Sequence, residues 1–198
     1  MLIWHDFIVE LHTGVTVFVV IALVTRILFD LRYMGKTAVP ESVTKVLDGT
    51  DFATYTGSVV AVIFLILSGI TGYLVLPYST LASQAIYLNK SLTALGALYF
   101  WSAFVFLRFW FGPHVWEKKG LYAFQVITAL FGLLFTTLAG SIGAELTVGQ
   151  SVLQPVYNAL SINFHQLTLT TTDVEATAVL LIIAIVIVAF LKPSQKTA

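Results

Sequence analysis

The chain has 198 residues, of which 58% are hydrophobic and 10% are charged, with a formal net charge of zero. Soluble domains have about 45–50% apolar and 25% charged residues, so the composition excludes an ordinary soluble protein and predicts an all-α, polytopic membrane helix bundle, in one domain over residues 1–198. The balanced charge gives no basic surface for nucleic acid, and the absence of cysteine excludes disulfides, iron–sulfur clusters and thiolate zinc sites.

The first predicted span covers about residues 10–32, which is long enough at 1.5 Å per residue to cross a hydrocarbon layer of ~30 Å. No Lys or Arg occurs in residues 1–25, whereas Arg26, Arg32 and further basic residues follow. Basic residues near spans favour the cytoplasmic side, so the N-terminus is predicted to lie outside. The polar segment after this span, residues 34–51, is predicted to be a cytoplasmic loop.

Three further spans are predicted at about residues 54–76, 91–111 and 121–143. The first of these ends before Pro77, and the second is rich in aromatic side chains. Small residues four apart, which let another helix approach closely, occur at Ser68 and Gly72 and within the segment Ala139–Ala144. We therefore predict that, besides the lipid bilayer, other integral membrane subunits contact the helices that contain Gly69, Gly72, Gly140 and Gly143.

The segment between residues 145 and 175 contains no Lys or Arg and is predicted to lie outside. Apolar residues recur there at steps of three and four, and polar residues recur at similar steps on the opposite helix face. This pattern predicts an amphipathic helix at the outer interface over about residues 150–169. A short aliphatic fifth span is predicted at about 176–191, with Lys192 and Lys196 placing the C-terminus inside. The expected architecture is five transmembrane helices in a prokaryotic plasma membrane, with the N-terminus outside and the C-terminus inside.

Acidic and imidazole groups near the predicted outer face are candidate metal ligands. Asp6 and Glu10 are four residues apart, so both carboxylates fall on one side of a helix, and His12 and Glu145 are the remaining members of the candidate set. The alternative is that these side chains contact water and lipid headgroups at the interface.

Haem b is a second candidate ligand, because it needs two histidines from different segments at one depth. His12 and His165 are the pair predicted to share the outer side, and together they would hold one haem. The alternative is that His165 belongs to the polar face of the outer helix, which contacts solvent or a partner protein. No catalytic residue is assigned.

A set of features follows in fixed order between His5 and Leu146: Val9–His12, Asp30, Gly69 with Gly72, Arg108, and Gly140 with Gly143. This order resembles a widespread family of four-helix membrane proteins, a domain of unknown function often suspected of binding haem. Family members typically begin their third helix with a histidine, where this chain has Asn89. The resemblance implies a four-helix membrane bundle and raises the question of a haem.

The middle of each predicted span lacks ionisable side chains, which disfavours a proton pump or an ion-coupled transporter. The leading hypothesis is a non-catalytic accessory subunit of a larger prokaryotic membrane complex, of the respiratory or copper-monooxygenase type, with no cofactor of its own. One alternative is a membrane electron carrier with a single haem b that reacts with quinol. Another is a protein that binds a metal ion at its outer face.

Overall fold

The chain forms helices throughout the residues described by the computed structural model, which are 2–33, 38–76, 78–151, 153–166 and 171–190. Four of the helices are long and run back and forth along the bundle. Short helices and turns join them, and no strand occurs in the described ranges. The helices are α1 (Leu2–Tyr33), α2 (Glu41–Val75), α3 (Tyr78–Ser83), α4 (Ala85–Phe111), a 3₁₀ helix (Gly112–Trp116), α5 (Lys119–Val148), α6 (Gln154–Ala159) and α7 (Thr171–Phe190).

Within the described residues, four helical segments are long and apolar enough to cross a membrane, which confirms a helical, multi-pass membrane protein. The predicted fifth span falls on α7, a helix of 20 residues that contacts α4. Its crossing of the membrane stays a prediction, and Leu191 lies outside the described residues. The four segments are Phe7–Tyr33, Glu41–Val75, Ala85–Trp116 and Lys119–Val148.

Helix α2 begins much earlier than the sequence predicted, because most of the predicted loop at residues 34–51 is helical from Glu41 onward. Val43 and Asp51 are buried and Leu47 is half-buried, and these three residues recur every four positions on one helix face. That face packs on the bundle, while an exposed ion pair of 2.8 Å joins Glu41 to Lys45 on the helix surface. Packing of this face therefore extends α2 through residues 41–51, although their composition is polar.

The predicted outer helix at residues 150–169 is represented by a six-residue helix, α6, followed by turns as far as residue 166. Residues 152 and 167–170 lie outside the described ranges. The chain turns back after α6 because the rings of Tyr157 and Phe164 pack edge to face, with centroids 4.8 Å apart. Both rings are buried against the ends of α4 and α5, in a cluster with Ile86 and Ile142.

Helix α1 packs along α2 through residues spaced seven apart. A seven-residue spacing keeps side chains on one helix face, and here that face carries two imidazoles, a valine and a guanidinium. The two helices are in close contact at Val19, since a Cβ on Gly57 of α2 would lie 2.6 Å from the Cγ2 atom of Val19. The α1 residues are His5, His12, Val19 and Arg26, and their partners on α2 are Thr71, Ala61, Gly57 and Leu47 in the same order.

Helices α4 and α5 approach closely at two glycines. A Cβ at Gly96 would lie 2.6 Å from the Phe135 ring, and a Cβ at Gly132 would lie 3.0 Å from the Trp101 ring. Trp101 is 1% exposed, and its Nε1 atom donates a hydrogen bond of 3.0 Å to the Thr136 hydroxyl. Each glycine thus makes room for a large ring from the neighbouring helix.

The four glycines predicted to contact other subunits fall into two groups. Gly72 faces the His5 ring and Gly143 faces the Lys90 side chain, so both lie in contacts within the chain. Gly69 and Gly140 have open space where a Cβ would stand. Contact of these helices with other subunits therefore stays a prediction. Of the four glycines, Gly69 and Gly140 are the two that no described residue covers.

We expect Gly96→Ala to destabilise the protein by about 1–3 kcal/mol, because the added methyl group must displace the Phe135 ring in a packed interface. Gly140→Ala is the matched control, since it adds the same group to the same pair of helices where nothing lies within 4 Å. Thermal unfolding in mild detergent measures both. If the two variants melt together, the α4–α5 contact is looser than described.

Candidate functional site

The most extensive polar cluster surrounds Asp51 on α2, whose side chain is 8% exposed. Arg108, near the end of α4, donates from Nε at 2.9 Å and from Nη2 at 2.5 Å to the two carboxylate oxygens. Trp116, at the end of the 3₁₀ helix, donates from Nε1 to Oδ1 at 2.5 Å. The carboxylate therefore joins three helical elements, and both of its oxygens are engaged.

Arg26 extends this cluster to α1. Its Nε atom donates to Asp30 at 2.9 Å, and its Nη1 atom donates to the backbone carbonyl of Leu47 at 2.9 Å. The guanidinium carbon lies 5.0 Å from the centroid of the Trp116 ring, within the range of a cation–π contact. We call the end of the bundle that contains Arg26, Asp51, Arg108 and Trp116 the arginine pole.

The arginine pole has the chemistry of a structural ion-pair network. Both guanidinium groups lie against a carboxylate and an aromatic ring, since Arg108 also stacks 5.4 Å from the Tyr55 ring. Both carboxylate oxygens of Asp51 already accept hydrogen bonds from Arg108 and Trp116, so this acid is poorly placed to bind a substrate. The pole therefore holds α1, α2 and α4 together.

Sequence reasoning missed this cluster because it assigned Asp51 to a loop. The available signal was the spacing of Asp51, Thr54, Ser58 and Ala61, which recur at steps of three and four and are all buried on α2. That spacing continues the buried face of the predicted span backward to the acid. An ionisable group on such a face requires a buried partner of opposite charge.

His12 lies within the α1–α2 interface and is 6% exposed. Its Nδ1 atom is 3.1 Å from the carbonyl oxygen of Ala61. A carbonyl only accepts hydrogen bonds, so Nδ1 carries the proton and Nε2 presents its lone pair. The Nε2 atom is buried and has no hydrogen-bond partner in the described part of the chain.

His165, the predicted second haem ligand, lies in a different environment. It is exposed, and its Nε2 atom is 2.8 Å from Glu145 at the end of α5. Its segment is fixed by Asn89, which is buried on α4 and donates to the carbonyl of Phe164 at 2.6 Å. The structure thus places His12 against α2 and His165 against α5, and each imidazole has its own contact.

The predicted metal set is distributed in the same way. Glu10 is exposed on α1, His12 faces α2, and Glu145 contacts His165. The side chain of Asp6 lies outside the described residues. Among the side chains that are described, no three His, Asp or Glu residues converge in a group that could hold a metal ion.

Comparisons of the chain with family models, with curated proteins and with solved structures give no match.

We expect Asp51→Asn to destabilise the protein by about 3–5 kcal/mol, because removing one partner of a buried ion pair leaves Arg108 without a counter-charge. Asp48→Asn is the matched control, since Asp48 lies three residues earlier on α2 and is exposed. Its effect should stay within about 0.5 kcal/mol. Denaturant or thermal unfolding in detergent distinguishes them, and equal stability of the two variants would contradict a structural role for Asp51.

Proposed function

We propose that this protein is a non-catalytic accessory subunit of a larger prokaryotic membrane complex, a redox assembly of the respiratory or copper-monooxygenase type. The observation that carries the proposal is the arrangement around Asp51. Asp51, a buried acid of α2, holds the long helices together through Arg108 and Trp116. A rigid, internally neutralised bundle is suited to support neighbouring subunits.

The surface of α2 favours the same function. Only 11% of the residues in the most apolar stretch of α2 are buried within the chain. Ile63, Ile66, Ile70 and Leu74 are exposed along it, and Gly69 has open space around it. In a membrane, such a face packs against lipid or against the helices of other subunits.

We place the arginine pole at the cytoplasmic side of the plasma membrane, with the N-terminus outside. Basic residues concentrate at that pole, and Lys90 is the single basic residue on the other side of the proposed topology. In this arrangement α7 is a fifth span that brings the C-terminus inside. Four spans alone would leave both termini on the outer side.

We expect the protein, purified from its native membrane in mild detergent, to run as a complex with defined partners and to bring redox cofactors with it. The reason is that a support subunit leaves large apolar faces for permanent contacts. The measurement is native mass combined with an absorbance spectrum of the complex and of the dissociated chain. A stable monomer that carries its own stoichiometric chromophore would overturn the proposal.

The geometry of His12 favours a second candidate function, that of a small electron carrier with one haem b reacting with quinol. Histidines that bind metals usually donate their other ring nitrogen to a carbonyl or carboxylate. His12 has that orientation, because Nδ1 contacts the Ala61 carbonyl and Nε2 keeps its lone pair. The resemblance to a family suspected of binding haem supports the same alternative, with His165 as the other proposed ligand.

If the carrier function holds, the purified chain should show a haem b band in its reduced-minus-oxidised spectrum, and His12→Ala and His165→Ala should each remove or shift it. His5→Ala is the matched control, since His5 lies on the same face of α1 and contacts Thr71. A wild-type spectrum without the band rules out the carrier. A band that all three variants retain assigns the haem to other ligands.

A further inference from the structure

A groove with a volume of about 390 Å³ runs along the N-terminal half of α1. Its lining residues recur at steps of three and four, so they form one face of a single helix. Gly14 forms the floor, with open space where a Cβ would stand. We call this surface the α1 groove, and its lining is Phe7, Glu10, Leu11, Gly14, Val15 and Phe18.

Glu10 is the ionisable member of this lining, and its depth in the membrane is constrained by Arg26. The two residues are 16 positions apart on α1, which is about 24 Å along the helix axis. The hydrocarbon layer is ~30 Å thick. Both charges therefore cannot lie outside a layer of ordinary thickness when the helix crosses it upright.

The two charges differ in what compensates them within the chain. Arg26 contacts Asp30, the Leu47 carbonyl and the Trp116 ring. Glu10 makes no hydrogen bond or ion pair with any residue that the structure describes. In the proposed topology Glu10 lies near the outer edge of the hydrocarbon layer, where a donor or a positive charge stabilises a carboxylate, and its short side chain reaches water less easily than that of Lys or Arg.

We propose that the α1 groove binds one membrane-spanning helix of a partner protein, and that a Lys or Arg near the outer end of that helix pairs with Glu10. Apolar side chains of the partner helix would fill the space over Gly14, between Phe7 and Phe18. This proposal rests on the proposed accessory function and names the surface through which the chain joins its complex.

The shape of the α1 groove favours a helix as its occupant. Rows of side chains at steps of three and four form ridges and grooves that receive the ridges of another helix. A glycine at the floor lets the two backbones approach closely. Phe7 and Phe18 are 50% and 55% exposed, and they would form the two ends of the contact.

The test uses a photoreactive amino acid at position 14, in the full chain, in native membranes of the source organism. The matched control places it at position 49, at the end of α2 that belongs to the arginine pole, where a Cβ also meets open space; this position should not give the cross-link. Position 14 should cross-link to a membrane-spanning helix of another protein, and that helix should carry a Lys or Arg near its outer end. Glu10→Gln should lower the yield about tenfold, whereas Asp48→Asn, at the arginine pole, should leave it unchanged.

A charge exchange then tests the pairing directly. Glu10→Arg should abolish the cross-link, and changing the identified basic residue of the partner to Glu in the same cells should restore it. A cross-link at position 14 to lipid alone, or to a second copy of this chain, overturns the proposal, as does a failed charge exchange. Thermal unfolding of each variant confirms that it is folded.

The outcomes separate this proposal from the accessory function. If Gly14→Leu and Glu10→Gln leave the native mass of the complex unchanged while Gly69→Leu reduces it, the α1 groove is not the contact and the accessory function stands. If the wild-type protein is a monomer in native membranes, the accessory function fails, and the α1 groove fails with it.

Discussion

The carboxylate of Asp51 is the group on which the packing of this bundle depends. It neutralises Arg108 and accepts the indole N–H of Trp116, so that α2, α4 and the 3₁₀ helix meet at one buried acid. The Trp116 ring in turn lies beside Arg26 of α1. Two cations enter the edge of an apolar bundle because this one carboxylate and Asp30 compensate them.

The register of α1 against α2 is fixed at this pole. Once Arg26 contacts the Leu47 carbonyl, the seven-residue spacing brings Val19 onto Gly57 and His12 onto the Ala61 carbonyl. A shift by one residue would turn these side chains away from α2. His12 has Nδ1 toward the Ala61 carbonyl and Nε2 without a hydrogen-bond partner in the described part of the chain, and this orientation therefore results from helix packing. The same orientation suits a structural histidine and a metal-binding one.

Composition and hydropathy were sufficient to predict the helical membrane class and the positions of four long helices. They failed at residues 41–51, because a hydropathy reading counts Asp51 as polar and takes no account of Arg108, which lies 57 positions away. Among the described glycines, the closest contacts within the chain are at positions other than the four that the small-residue spacing selects. Gly96 and Gly132 make room for Phe135 and Trp101, and only the register of α4 against α5 determines which glycine faces a ring. The separate contacts of His12 and His165 depend on how the segment after α5 folds back, and spacing in the sequence does not carry that information.

The position of the arginine pole explains why the α1 groove is in the other half of the helix. Val19 and Leu23 pack in the main core with residues of α4 and α5, and Arg26 fixes the same half of α1 to Trp116. Toward the N-terminus, His5 and His12 each contact α2. The face of α1 that carries Gly14 is thus uncovered in the half where Glu10 lies without a partner among the described residues. A helix that is anchored at one pole and uncovered at the other can exchange lipid for a partner helix without disturbing the ion pairs that hold the bundle together.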